Sequence, residues 1–153
     1  MIKKLTMTAL VTAALTSSAL LHATEVEYLN SESELTSTMP FSEAVRVDDV
    51  VYLSGQIGIV PGTMELASGG MKEEATQIME NIKTSLEAHD LTMDNVVKCL
   101  VMLTDMSEWS DMNEVYRSYF TEGRYPARSA FGVSALALDA RAEVECIAVV
   151  GND

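Results

Sequence analysis

The chain has 153 residues, 48% hydrophobic and 22% charged, which is the composition of one folded domain built on a single core. Acidic residues outnumber basic ones 23 to 10, for a formal net charge of −13. A surface this acidic repels phosphate backbones and anionic headgroups, which argues against nucleic-acid binding.

Lys3 and Lys4 form a short positive region, followed by an apolar, small-residue stretch from Leu5 to Leu21 that ends at Leu21-His22-Ala23. This pattern predicts a signal peptide over residues 1–23 and a periplasmic or secreted mature protein. The apolar run is short for a membrane anchor and is broken by Thr and Ser, so no membrane association is expected after cleavage. Residues 24–39 are polar and read as a flexible leader, with the folded domain spanning 40–153.

Two β-rich runs, Ala44–Val47 and Val50–Ser54, flank Asp48-Asp49 and predict a hairpin. After a glycine-rich passage, Met71, Ala75, Ile78, Met79, Ile82 and Leu86 fall on one stripe of a 3.6-residue period. That is an amphipathic helix. Glu73 and Glu74 lie in its first turn, where the helix dipole favours negative charge. His89, at its far end, reads as a surface residue. Val96–Leu103 is nearly all apolar and predicts a strand covered on both faces. A second helix is expected from about Glu108 to Thr121, with Trp109, Met112, Val115, Tyr116, Tyr119 and Phe120 as its buried stripe. Ala127–Val133 and Arg141–Val150 are the last two strands. The order ββ-α-β-α-ββ predicts an α+β domain with two helices on one face of a mixed sheet. The other sheet face then needs a cover, and self-association supplies it.

Cys99 and Cys146 fall in strand-like runs. The reading favours two small buried thiols, with a cross-strand bridge as the alternative, because spacing does not show that two strands are neighbours.

Phosphate-binding loops, nucleophile elbows and zinc-protease motifs are absent. Two histidines, one of them in the signal segment, do not make a His-rich metal site. Attention falls on Arg128, Glu143 and Glu145. Arg128 shares a strand face with Ala130 and Gly132, small neighbours that leave a hollow around a guanidinium able to grip a carboxylate through two parallel hydrogen bonds. Glu143 and Glu145 share a face with Ile147 and Val149. A partly desolvated carboxylate there has a raised pKa, toward the range useful for proton exchange. The structural alternative on these residues is a cross-strand salt bridge from Arg128 to Glu143 or Glu145, a common use of unlike charges on strands.

The segments Pro40-Phe41-Ser42-Glu43-Ala44-Val45, Tyr52-Leu53-Ser54-Gly55-Gln56-Ile57, Met112-Asn113, Tyr125-Pro126-Ala127-Arg128-Ser129 and Glu143–Val149 together resemble the RidA/YjgF (YjgF/L-PSP) family of imine deaminases, from about Pro40 to Val150. The resemblance implies a chorismate-mutase-like α+β fold, a homotrimer with clefts between subunits, and no metal or organic cofactor. It implies hydrolysis of reactive 2-imino and enamine acids to 2-oxo acids and ammonia. Arg128 matches the arginine that binds the substrate carboxylate, and Glu143 the glutamate beside the attacking water. Ser54, Gly55 and Asn113 match other cleft positions. Two positions depart from the family pattern: Phe41 stands where a Tyr is usual, and Ala130 where a Cys is frequent. The missing Phe41 hydroxyl leaves a second reading open, a non-catalytic module that binds a small carboxylate.

Overall fold

The computed structural model describes residues 23–31 and 39–151. The residues read as a signal peptide lie outside these except for Ala23, as do residues 32–38 of the leader. Eight principal elements follow one another: β1 (Val26–Leu29), β2 (Ala44–Val47), β3 (Val50–Leu53), α1 (Met71–Glu87), β4 (Val96–Leu103), α2 (Trp109–Ser118), β5 (Ala127–Gly132) and β6 (Ala142–Val149). The strands form one sheet in the order β1-β2-β3-β6-β4-β5. Only β4 and β5 run parallel, and α2 makes the crossover between them. The expected α+β architecture, with two helices on one face of a mixed sheet, is the observed one.

α1 forms where the 3.6-residue stripe lies, and Ile78, Met79, Ile82 and Leu86 are fully buried. They pack on a sheet face made of Val51, Leu53, Cys99, Val101, Leu103, Val144 and Cys146. Replacing any one of these large side chains by Ala costs about 2–5 kcal/mol through lost burial and an unfilled cavity. The predicted hairpin is present. Val47 pairs with Val50, and Asp48 takes the positive φ of 52° that the two-residue turn requires, a conformation Asp tolerates.

Several expectations need correction. The polar leader contains β1, which pairs antiparallel with β2 along Val26–Leu29. Its side chains are largely exposed, so no hydrophobic pattern announces it; backbone pairing and end contacts hold it instead. Ser31 N–H donates to the Glu43 carboxylate at 2.8 Å, and Glu43 N–H donates to the Asn30 side chain at 3.0 Å. His89 is half-buried, and its Nε2 is closed to solvent. β4 is covered on one face only. Val96, Cys99, Val101 and Leu103 face the helices, while Lys98, Leu100 and Met102 face the open side. A continuous apolar run reports that a strand wants cover on both faces, and a single chain supplies one.

Cys99 and Cys146 sit directly opposite each other on β4 and β6, with Cα atoms 4.1 Å apart, and are joined by a disulfide. The reading as two thiols is therefore overturned. Strand order decided it, since β6 returns between β3 and β4 and places the two sulfurs side by side. The bridge closes a loop with a sequence separation of 47, which by chain entropy stabilises the fold by about 4 kcal/mol. Replacing both cysteines by Ala is expected to lower Tm on the order of 10 °C. Thiol titration of the unfolded, unreduced protein should find no free sulfhydryl.

Candidate active site

Arg128 leaves β5 on the helix side of the sheet, in register with buried Cys99 of β4. Its guanidinium carbon lies 4.6 Å from the Trp109 ring centroid and 4.5 Å from that of Tyr116. Both rings come from α2, where Trp109, Asn113 and Tyr116 follow one another at helical spacing and so share a stripe. Stacking on aromatic faces stabilises the cation while leaving its N–H donors free in the guanidinium plane. Among the described residues no carboxylate pairs with Arg128. It faces a hollow of about 280 Å³ lined by Asn113, Tyr116, Arg117, Tyr125 and Pro126. The Tyr116 hydroxyl is buried without a hydrogen-bond partner, and burial pushes its pKa up to about 12, against the opposing pull of Arg128. The ring beneath the guanidinium therefore stays an uncharged phenol.

The salt-bridge alternative for Arg128 is overturned by topology. β4 separates β5 from β6, and Glu143 and Glu145 point to the opposite, open face. Glu143 lies opposite Met102, which pairs with Phe131. Two strand spacings and three residues of offset put the Arg128 and Glu143 backbones roughly 14 Å apart.

Glu143 has its own surroundings. Gln56 and Val144 exchange backbone hydrogen bonds at 2.9 and 3.0 Å, which clamps the loop after β3 against β6. Gly55 thereby comes under the Glu143 carboxylate, so closely that a Cβ at this position would collide with Oε1. Ser54 joins this half: its hydroxyl donates to the Ser42 carbonyl at 2.7 Å, which ties β3's end to the segment carrying Phe41. Phe41 itself is 56% exposed. Partial burial, and then repulsion from Glu145, raise the Glu143 pKa above its ordinary value.

The predicted residues thus fall into two groups. Arg128, Ala130 and Asn113 belong to the helix side by β5, and Glu143, Gly55, Ser54 and Phe41 to the other end of the sheet. Ala130 follows Arg128 on the same face, in register with Val101, as the alternation required. The aromatic cradle of Trp109 and Tyr116 was read as plain core. Its signal was the spacing of a Trp and a Tyr on the helix that precedes the arginine strand. Glu74, read as a dipole partner, is buried. It accepts the Arg141 and Ala142 N–H groups at 2.7 and 3.4 Å, which fixes the start of β6 two residues before Glu143. A larger depression of about 630 Å³ between α1 and α2 includes Glu80, Lys83 and Tyr119 and contains none of the predicted residues. Among the described residues no cluster of His, Cys, Asp and Glu could hold a metal ion.

The edge strand of this small α+β domain thus carries an aromatic-cradled arginine beside a hollow, and the open face carries a glutamate of raised pKa. Comparisons with known proteins give the family. The family model described as endoribonuclease L-PSP matches residues 31–150. A mouse protein named 2-iminobutanoate/2-iminopropanoate deaminase is 45% identical over 112 residues, covering 73% of this chain and 82% of its own. The crystal structure of RidA from the Antarctic bacterium Psychrobacter sp. PAMC 21119 superposes with a TM-score of 0.69 at 42% identity, over 74% of this chain and 90% of that one. E. coli TdcF with bound serine superposes with a TM-score of 0.68 at 34% identity, over 72% and 88%. The chain belongs to the RidA/YjgF family, the family of the L-PSP model.

Trp109 is the sole tryptophan, and it touches Arg128, so it reports on the site. Titration with 2-oxopropanoate is expected to change its emission saturably in the wild-type protein and not in Arg128→Ala. A carboxyl whose folded pKa lies above its unfolded value binds protons more tightly when folded, so that contribution to stability is lost as pH rises through the folded pKa. Glu143→Gln is therefore expected to raise Tm at pH 7, the gap to wild type closing as pH falls through the carboxylate range.

Proposed function

We propose that this protein hydrolyses reactive 2-imino and enamine acids to 2-oxo acids and ammonia, in a cleft completed by a second copy of the chain. The observation that carries the reading is the Arg128 guanidinium, stacked on two rings and unpaired among the described residues, at the mouth of a hollow. Relatives named 2-iminobutanoate/2-iminopropanoate deaminase, 43–45% identical, support it.

The chemistry follows from the groups present. Arg128 binds the substrate carboxylate through two charge-assisted hydrogen bonds and fixes the imine carbon in place. Glu143, with its raised pKa, accepts a proton from water as the oxygen attacks that carbon. The C=N bond becomes a single bond in the tetrahedral intermediate. Proton transfer to nitrogen then lets ammonia leave as the C=O bond forms.

Because Arg128 and Glu143 sit on opposite faces in one chain, one subunit brings Arg128 to the substrate and its neighbour brings Glu143, Gly55 and Ser54. The open face carries Tyr52, 48% exposed, beside Ile147, and Phe131, 44% exposed. Burying it in a homotrimer covers that surface and draws the two half-sites together. We place the protein in an oxidising, exported setting. The signal-like segment 1–23 supports this, and so does the buried disulfide, a bond that persists in such compartments. Ribonuclease activity, which the family model's description carries, is opposed by the net charge of −13. Phe41, without a hydroxyl, favours the second reading, in which the same cleft binds a 2-oxo acid without turnover.

Hydrolysis of 2-iminopropanoate, generated in situ from alanine by an amino-acid oxidase, tests the reading. The wild-type protein should accelerate imine loss. Arg128→Ala should lower kcat/KM about a hundredfold, and Glu143→Gln should lower kcat by at least about a hundredfold. No acceleration by the wild-type protein, or full activity in Arg128→Ala, would refute the enzyme.

A further inference from the structure

Arg128 is not the only guanidinium at the hollow. Arg117, in the last turn of α2, lies four residues after Asn113 and adjoins Tyr116, and it lines the same space. The lining that one chain supplies is Asn113, Tyr116, Arg117, Tyr125, Pro126 and Arg128, with no carboxylate among them. In a chain with 23 acidic and 10 basic residues this is a notable exclusion. Three cations elsewhere meet carboxylates: Arg46 meets Glu27, Lys72 meets Glu114 and Asp111, and Arg141 meets Glu108. Among the described residues neither Arg117 nor Arg128 has such a partner.

Two arginines lining one small volume bring two like charges to it. One carboxylate answers only one of them. A dianion answers both. The volume, about 280 Å³, lies just below the roughly 300–1,000 Å³ of drug-sized ligand sites, a scale that suits a short diacid. We infer that the hollow is selective for dicarboxylates of four or five carbons, Arg128 holding the 1-carboxylate beside the reacting carbon and Arg117 the distal carboxylate. The inference rests on the carboxylate-binding role of Arg128 in the proposed function and adds a specificity-determining residue to it. Imines of acidic amino acids, and the 2-oxo diacids they yield, are the matching ligands.

Arg117 is exposed and packs into no core, so its substitution leaves the fold intact. Calorimetric titration with 2-oxopropanoate and with 2-oxopentanedioate reads the preference without needing turnover. The wild-type protein should bind the diacid about five- to tenfold more tightly, the scale of one partly exposed Arg–carboxylate contact. Arg117→Gln should bring the ratio near unity, Arg117→Glu should invert it, and Arg128→Ala should weaken both acids. Added salt should shrink the preference. Equal affinities in the wild-type protein, an unchanged ratio in Arg117→Gln, or no binding of either acid overturns the inference.

Parallel assays with 2-iminopropanoate and with 2-iminopentanedioate, made in situ from glutamate by an oxidase, separate this claim from the previous one. If neither imine is hydrolysed while the diacid preference and its loss in Arg117→Gln persist, the deaminase reading falls and the selectivity stands. If 2-iminopropanoate is hydrolysed while the two acids bind equally, the reverse holds.

Discussion

Arg128 is held by aromatic faces and not by a carboxylate, and the site depends on that difference. An arginine paired with a carboxylate of its own chain is already neutralised, and an incoming anion would have to displace the partner. Stacked on Trp109 and Tyr116, the guanidinium keeps its charge and its in-plane donors. Each stack supplies about 0.5–2 kcal/mol, enough to restrain the side chain and too little to compete with a charge-assisted hydrogen bond. Burial keeps the Tyr116 phenol neutral, so the cradle adds no charge of its own.

The cradle exists because of the β4-α2-β5 crossover. The helix that leads into the parallel edge strand lies over it, so residues along one stripe of α2 come within reach of the first residues of β5. Trp109 and Tyr116 are partly or fully buried, and the same contacts that complete the core orient the guanidinium. On the far side of β4, the pleat sends Glu143 to the open face, and the clamp between Gln56 and Val144 brings Gly55 beneath it. Only a residue without a Cβ permits that approach. The period of two along the strands, together with the intervening β4, separates arginine from glutamate within one chain. It also leaves a sheet face bearing Tyr52, Leu100, Phe131 and Ile147 uncovered in the single chain.

Much of this was legible from the residues in order. The α1 stripe, the Asp48-Asp49 turn, the last two strands and the shared face of Glu143 with Ile147 are local periodicities, and local periodicity survives folding. Arg128 drew attention because small residues flank it along its strand. The match of separate segments in the right order pointed to the family. β1 escaped notice because an exposed edge strand is held by backbone hydrogen bonds, to which side-chain polarity is nearly blind.

The order of residues by itself determined every principal element but β1, the stripe that α1 buries, the acidic composition and the two charged groups, Arg128 and Glu143, that the proposed chemistry uses. The tertiary structure alone decided which strands are neighbours. From that choice came the Cys99–Cys146 bridge, the aromatic cradle, the absence of an Arg128–Glu143 pair and the pairing of Arg117 with Arg128 at one hollow. The physical reason is that periodicity along a chain records which way a side chain points, whereas strand order is set by the packing of distant segments, and no local pattern encodes what a side chain meets when it gets there.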